Sequence, residues 1–201
     1  PHAIVLTGRF TCDWDRLVED VKAICESQIR MFGEPAPMDR YLFMTMVVGD
    51  GYGGLEHRWS TALICRRESL PQPHADKMTD GYRTFLGLVS HEYFHSWNVK
   101  RIKPAVFTPY DLSKESYTTL LWAFEGITSY YDDLMLLRSG RIQRKTYLEV
   151  LGQTATRVWR TPGRSVQTVT DSSYDAWTKF YRQDENAQNA IVSYYTKGAL
   201  V

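Results

Sequence analysis

The amino-acid sequence predicts an α+β fold, with a small β-sheet early in the chain and a mostly helical part after it. Short β-rich segments bounded by glycine- and proline-containing turns occur at 4–10, 41–48 and 61–66. After residue 80, apolar residues recur at helical spacing almost to the end of the chain. Strands followed by helices, without alternation, are typical of the α+β class. The 201 residues suffice for one domain with its own core, and we expect that domain to span 1–201.

Residue spacing predicts the other elements of the first half. Apolar residues from Asp13 to Phe32 recur every three or four positions, which predicts an amphipathic helix that stops at Gly33. Residues 49–54 include four glycines and predict a tight turn. Residues 68–80 are polar, contain two prolines and predict an exposed loop. A further helix is expected to begin at Asp80.

The second half is predicted to be helical, with irregular segments between the helices. Prolines at 104 and 109 predict an irregular segment over 98–114, and Thr161-Pro162-Gly163 predicts a break. The predicted helices cover 113–137, 142–160, 174–182 and 187–201.

Composition excludes several classes of function. The net charge is +1, so no strong electrostatic field points to nucleic acid or to an anionic membrane. No apolar run reaches the length of a membrane span. The three cysteines, Cys12, Cys25 and Cys65, are an odd number without CxxC spacing and argue against a disulfide framework. One bridge plus one free thiol stays an alternative.

The segment His91-Glu92-Tyr93-Phe94-His95 carries the strongest chemical signal in the chain. On a helix, residues four apart share a face, so the imidazoles of His91 and His95 can bind one zinc ion. Glu92 lies beside them, where a carboxylate can take a proton from water that zinc has acidified. The chain has only five histidines, so two ordinary core histidines at this spacing are the weaker interpretation.

A catalytic zinc site needs a third protein ligand and one open position. Glu125 is the leading candidate because it lies in an apolar, aromatic helical segment, where a lone carboxylate would be costly. A buried salt bridge with Lys100 or Arg101 is the alternative for Glu125. Gly126 leaves room beside it for another helix to approach. The other downstream carboxylates are Asp111, Glu115, Asp132 and Asp133.

Four segments form motifs that extend the signal beyond the two histidines. They are 88–104 around the His91–His95 segment, 122–131 (WAFEGITSYY), 161–164 (TPGR) and 194–198 (YYTKG). These motifs resemble those of the glycyl aminopeptidases that carry a PDZ domain, a family of zinc metallopeptidases. That family is related to the gluzincin group that includes aminopeptidase N and leukotriene A4 hydrolase. The resemblance runs through essentially the whole chain.

The resemblance implies a third metal ligand and an oxyanion donor. The wider group takes its third zinc ligand from a Glu-Gly pair, which here is Glu125-Gly126. The linker 96–124 is longer than in that group, which puts the path between the two helices in question. A tyrosine in a Tyr-x-Lys-Gly segment donates its hydroxyl to the oxyanion in those enzymes, and here it is Tyr195. The neighbouring Tyr194 is the alternative donor.

The resemblance also implies a site for the substrate's free amine. The wider group has a Gly-x-Met-Glu-Asn strand, and residues 53–57 (GGLEH) resemble it, with Leu for Met and His for Asn. Glu56 would then hold the ammonium group, and Gly53 and Gly54 would let the substrate backbone lie against the strand. Without the resemblance, a glycine turn leading to a solvated Glu-His-Arg edge explains these residues as well. An aromatic wall with Tyr52 or Trp97 is a conjecture for the size of the first pocket.

The resemblance implies a thermolysin-like catalytic domain with one Zn²⁺ ion. Its substrate would be a peptide with a free N-terminus, cleaved with preference for Gly or Ala at that end. A zinc endopeptidase and a non-catalytic scaffold stabilised by zinc are the alternatives. The chain is also expected to be a piece of a longer protein, without the flanking β-rich and PDZ regions. The sequence leaves the compartment (bacterial cytoplasm or periplasm) and the oligomeric state open.

Overall fold

The predicted small sheet is present in the first third of the chain. In a computed structural model, which describes residues 1–201, the strands are β1 (His2–Gly8), β2 (Tyr41–Val48), β3 (Gly53–Glu56) and β4 (Ser60–Arg66). Their order is β1-β2-β4-β3, with β1, β2 and β4 parallel and β3 antiparallel to β4. The three predicted strands are confirmed, and β3 forms one edge of the sheet.

The predicted turn over 49–54 is wrong in its second half. Gly53 and Gly54 belong to β3, where they pair with Ile64 and Leu63 of β4. Strand pairing here overrides the weak intrinsic strand preference of glycine, because cross-strand partners decide strand formation more than local propensity does. The chain therefore reaches the edge of the sheet two residues earlier than the glycine pattern suggested.

Two long helices pack in the same region as the sheet. They are α1 (Trp14–Phe32) and α2 (Asp80–Phe94), and α2 contacts α1, β3 and β4. The α1 prediction is confirmed, with the carboxylate of Asp13 accepting a hydrogen bond from the Arg16 backbone N–H at its start. Period-two alternation buries Tyr41, Phe43 and Val47 on one face of β2.

An aromatic cluster fixes the C-terminal end of α2 against β2. The ring of Tyr93 is fully buried and meets the ring of Tyr41 edge-on, with centroids 4.9 Å apart. Trp97 stacks on Phe32 of α1, with centroids 4.5 Å apart and planes at 6°. Buried aromatic side chains contribute more apolar area than any others, so this cluster holds the last turn of α2 rigidly.

The chain divides into two compact units. One comprises Pro1–Lys100 and Asp132–Gln143, and the other comprises Arg101–Tyr131 and Arg144–Val201. Beyond α2, the helices are a π-helical turn (Trp122–Gly126), α3 (Ile127–Arg138), α4 (Arg144–Arg160), α5 (Val169–Tyr174), a second π-helical turn (Ala176–Phe180), α6 (Ala187–Ala190) and α7 (Tyr194–Gly198). The predicted α+β composition, with helices after the sheet, is confirmed. That residues 1–201 act as one catalytic domain stays a prediction.

The predicted helix over 113–137 begins too early. Helical structure starts only at Leu121, and residues 114–120 have no regular secondary structure. The carboxylate of Asp111 accepts a hydrogen bond from the backbone N–H of Ser113, and the hydroxyl of Thr118 accepts one from Leu120. Such local side-chain bonds compete with helical hydrogen bonds, which explains why the apolar spacing misled here.

Two further helix boundaries differ from prediction. The helix expected over 174–182 starts earlier, at Val169, because Thr168 and Asp171 form a capping box, and it continues as the second π-helical turn. The helix expected over 187–201 is two short helices. Ser193 interrupts it, since its hydroxyl accepts the backbone N–H of Thr196 and starts α7.

Cys12, Cys25 and Cys65 are all free thiols, so the chain contains no disulfide. None of the helices combines the length and the hydropathy needed to cross a membrane.

Candidate active site

The two predicted metal-binding histidines lie at the C-terminal end of α2. His91 is in the last turn, and His95 is the capping residue, with φ −60° and ψ −15° that continue the right-handed helical path. Their rings lie edge to face, with centroids 4.7 Å apart. The prediction that both imidazoles occupy one face of a helix is confirmed.

Each histidine is oriented by a hydrogen bond to Nδ1. The Nδ1–H of His91 donates to Oδ2 of Asp132 at 3.1 Å, and that of His95 donates to the backbone carbonyl of Asn98 at 2.7 Å. Since both partners are acceptors, both rings are the tautomer that carries its lone pair on Nε2. A carboxylate and a backbone carbonyl are the usual partners of metal-binding histidines, so the donor set fits a zinc ion.

Asp132 is itself held in place by the fold. It is a buried residue of α3, and burial raises the pKa of its carboxyl, while the hydrogen bond with His91 acts in the opposite direction. Its backbone carbonyl accepts a hydrogen bond from the hydroxyl of Ser90, at 2.9 Å. Ser90 in turn accepts a bond from the side-chain amide of the buried Gln28. The orientation of His91 is therefore fixed from α1 and α3 as well as from its own helix.

The carboxylate of Glu92 lies directly against the edge strand β3. Glu92 is buried, with 5% of its surface exposed. A Cβ atom added to Gly54 would lie 2.3 Å from Oε1 of Glu92 and 2.5 Å from its Cδ. Only glycine leaves room at this position, so Gly54 sets how closely the carboxylate approaches the strand. Gly53 faces open space, with no atom within 4 Å of an added Cβ.

Replacing Gly54 with Ala is expected to lower turnover while the fold persists. The added methyl group displaces the far end of the Glu92 side chain, which is flexible, and leaves the backbone in place. A catalytic group moved by about 1 Å can cost on the order of a hundredfold in rate. The measurement is kcat together with the melting temperature, and Gly152→Ala, in α4 with no atom within 4 Å of the added Cβ, is the matched comparison. Equal losses in both variants, or no loss in either, would contradict the assigned contact.

Glu56 lies on the same side of β3 as Gly54, two residues further along the strand. Its Oε1 is 3.1 Å from Nζ of Lys100, and both side chains are about one-fifth exposed (19% and 20%). The ligand atoms of Glu56, Glu92 and His95 all lie within 4.8 Å of one another, a group that could hold a metal ion. The Lys100 ammonium balances one of the two carboxylate charges at this point.

The two aromatic residues conjectured to line the first pocket differ in position. Trp97 stacks on Phe32 and is 8% exposed, so it is part of the core and is not available as a pocket wall. Tyr52 precedes β3 and is 64% exposed. Partial burial and the negative charges of Asp132, Glu92 and Asp133 raise the pKa of Tyr52. The phenol of Tyr52 therefore lies near the carboxylates of Asp132, Glu92 and Asp133.

In the other unit, Glu125 occupies a π-helical turn that packs tightly on α7. A Cβ atom on Gly126 would lie 2.6 Å from the Cα of Gly198, and one on Gly198 would lie 2.9 Å from the carbonyl oxygen of Trp122. The expectation that Gly126 admits another helix is confirmed, and that helix is α7. Single π-helical turns inside helices recur at functional sites, which is consistent with a role for Glu125.

The glycine contact brings α7 and its tyrosines beside Glu125. Burial first, and then the negative charge of Glu125, raise the pKa of Tyr195, so its phenol stays protonated at neutral pH. Tyr195 is half-buried, whereas Tyr194 is 1% exposed and donates its hydroxyl hydrogen to Tyr181. The ammonium of Lys197 donates to the carbonyl of Arg164 at 2.9 Å, which joins the motifs 194–198 and 161–164.

Several residues around the site were not predicted from the sequence. Asp132 was named only as one of several carboxylates, although it follows Glu125 by seven residues, which is two helical turns and a usable signal. Lys100 was considered as a partner of Glu125 but pairs with Glu56. Asn98 contributes only its backbone carbonyl, three residues after His95, so its side chain gives no signal. The contact between Tyr181 and Tyr195 depends on tertiary packing.

Comparison with known proteins is consistent with these motifs. The sequence model of the M61 glycyl aminopeptidases matches residues 84–201. A crystal structure of an aminopeptidase N family protein from Idiomarina loihiensis is similar, with a TM-score of 0.97 and 57% sequence identity over 99% of this chain. The match covers 34% of that protein, so the chain spans about a third of its length. No curated protein matches. The chain belongs to the M61 glycyl aminopeptidase family.

Proposed function

We propose that this chain is the catalytic region of a zinc-dependent aminopeptidase with a thermolysin-like fold. It would hydrolyse the first peptide bond of peptides, with preference for N-terminal Gly or Ala. The observation that carries the proposal is the arrangement at the end of α2. Two histidines there are oriented through Nδ1, and a buried glutamate lies between them and an edge strand. Family membership and the relative described as an aminopeptidase N family protein support it.

His91, His95 and Glu125 would hold one zinc ion. The donor set supports this assignment, because two neutral imidazoles with one carboxylate are a combination that suits a catalytic zinc ion. The group formed by Glu56, Glu92 and His95 is less suited, because it offers only one imidazole. When bound, zinc lowers the pKa of a coordinated water and polarises a carbonyl oxygen.

Glu92 would act as the general base and then as the general acid. Its carboxylate would accept a proton from the attacking water and pass it to the departing amine. Gly54 holds this carboxylate against β3, where the scissile bond would lie. Tyr195 would donate its hydroxyl to the negatively charged oxygen of the tetrahedral intermediate. A phenol is protonated at neutral pH without any shift of its pKa, so Tyr195 can serve as that donor.

Glu56 would bind the ammonium group of the substrate. Fixing the free amine there would place the first peptide bond at the site of hydrolysis. An extended substrate can pair with the edge of β3, because β3 has a neighbouring strand on one side only. Gly53 and Gly54 present no side chains to hinder that approach. Tyr52 is the aromatic residue placed to limit the size of the bound residue, since Trp97 is in the core. The preference for glycine itself rests on the family.

Blocking the substrate amine tests the role of Glu56. We expect the full-length natural protein to hydrolyse Gly-Ala-Phe-amide and to leave its N-acetyl form intact. Glu56→Gln should raise KM for the free peptide by about tenfold, which corresponds to the loss of one charge-assisted bond. The measurement is kcat/KM for both peptides, with Glu68→Gln, an exposed glutamate beside Arg66, as the control. Equal cleavage of the acetylated peptide would favour the endopeptidase alternative.

A further inference from the structure

Three tyrosine hydroxyls form a continuous series of contacts between α7 and the segment before α6. The hydroxyl of Tyr194 donates to that of Tyr181 at 3.1 Å. The hydroxyl oxygens of Tyr181 and Tyr195 are 3.3 Å apart, and either group can donate. Tyr181 follows the π-helical turn Ala176–Phe180, while Tyr194 and Tyr195 are the first two residues of α7. The middle hydroxyl is therefore the one supplied from outside α7.

The direction of donation within this series is constrained. Each phenol carries one hydrogen and can accept through its oxygen. Because Tyr194 uses its hydrogen on Tyr181, the hydrogen of Tyr181 can be directed to the oxygen of Tyr195. Tyr195 would then donate its own hydrogen onward. A hydroxyl that accepts a hydrogen bond is a stronger donor, because bonds in series polarise one another.

We propose that Tyr181 is a positioning residue that turns the hydroxyl of Tyr195 toward the substrate oxyanion and strengthens it as a donor. The inference rests on the proposed function, in which Tyr195 is the oxyanion donor. It also accounts for the choice between the adjacent tyrosines. Tyr194 gives its hydrogen to Tyr181, so Tyr195 is the better placed of the two to donate toward the substrate. The distance of 3.3 Å is long for two hydroxyls and would shorten as negative charge develops on the substrate.

The rings of these tyrosines are packed independently of their hydroxyls. The ring of Tyr181 lies 5.9 Å from that of Trp177 and 5.3 Å from that of Phe180, measured between centroids. Tyr194 and Tyr195 stack on each other, with centroids 4.6 Å apart. Tyrosine-to-phenylalanine variants keep these ring contacts and remove only the hydroxyl. Each variant therefore tests donation and not packing.

The test is a double-mutant cycle in the full-length natural protein, assayed with glycyl p-nitroanilide. We expect Tyr181→Phe to lower kcat by about three- to tenfold, the effect of one hydrogen bond, with KM unchanged. Tyr195→Phe should cost about a hundredfold or more, as for other oxyanion donors. In the Tyr195→Phe background, Tyr181→Phe should have no further effect. Tyr174→Phe, another exposed tyrosine of the same unit, is the control.

Three results overturn the proposal: an unchanged kcat in Tyr181→Phe, an equal loss in both backgrounds, or a change confined to KM. A failure of the proposed function looks different, because the wild type would then be inactive or Tyr195→Phe would be without effect. A second measurement does not depend on activity. With tyrosine labelled with ¹³C at Cζ, the Tyr195 resonance should shift in Tyr181→Phe, and an unmoved resonance also overturns the proposal.

Discussion

Glu92→Gln is expected to abolish most hydrolysis while the protein keeps its metal and its fold. General acid–base catalysis contributes about a hundred- to ten-thousandfold, and the glutamine amide cannot accept the proton. The side chain keeps its shape and still fits beneath Gly54, so the surrounding structure has no reason to change. The ring nitrogens of His91 and His95 keep their partners, Asp132 and Asn98. Zinc content should therefore equal that of the wild type.

The measurement for Glu92→Gln pairs kcat on glycyl p-nitroanilide with zinc content per chain. Glu26→Gln is a suitable control, because Glu26 is a half-exposed residue of α1 with surface ion pairs to Lys22 and Arg30. Retained zinc with lost hydrolysis supports a catalytic base. Unchanged hydrolysis in Glu92→Gln would contradict the proposed role of Glu92 as the general base. It would also remove the argument against a scaffold that keeps zinc for structure alone.

Glu125→Ala is expected to lose both zinc and activity. Loss of partners that merely orient metal ligands weakens metal binding about ten- to a hundredfold, so loss of a ligand itself should exceed that range. The measurement is zinc stoichiometry after dialysis against a weak chelator, together with the rate of hydrolysis. Glu125→Gln removes the charge but keeps the side-chain volume next to Gly126, and it should also bind zinc more weakly than the wild type.

Glu115→Ala is the matched control for Glu125→Ala. Glu115 is an exposed carboxylate on the segment before the π-helical turn, and we assign it no role in the site. The account predicts that this variant keeps both zinc and activity. Zinc retained in Glu125→Ala and lost in Glu115→Ala would reverse the choice of the third ligand.

The parts of the site that the sequence predicted are those encoded locally. The two histidines of α2 are four residues apart, so helix geometry alone places their rings together. Gly126 follows Glu125 directly and predicted the close approach of another helix, which the structure identifies as α7. The early position of the sheet and the bounds of β2 followed from the β-rich composition of these segments.

The parts that the sequence did not predict depend on tertiary contacts or on side-chain capping. The bond between His91 and Asp132 joins residues 41 positions apart, and the ion pair between Glu56 and Lys100 joins two segments that no periodicity links. The helix boundary at Leu121 was set by turns before it that compete with helical hydrogen bonding. Apolar spacing predicts helices but carries no information about such side-chain bonds. The predicted ends of the elements were therefore less accurate than their predicted types.

Dependence of glycyl p-nitroanilide hydrolysis on bound zinc would distinguish a zinc peptidase from the other candidate functions. The full-length natural protein would be stripped of metal with a chelator and titrated with Zn²⁺, with the rate followed at each addition. We expect the stripped protein to be inactive and its activity to return in proportion to zinc, reaching a maximum at one ion per chain. Hydrolysis that persists without metal, or stoichiometric zinc binding without hydrolysis, would contradict this expectation.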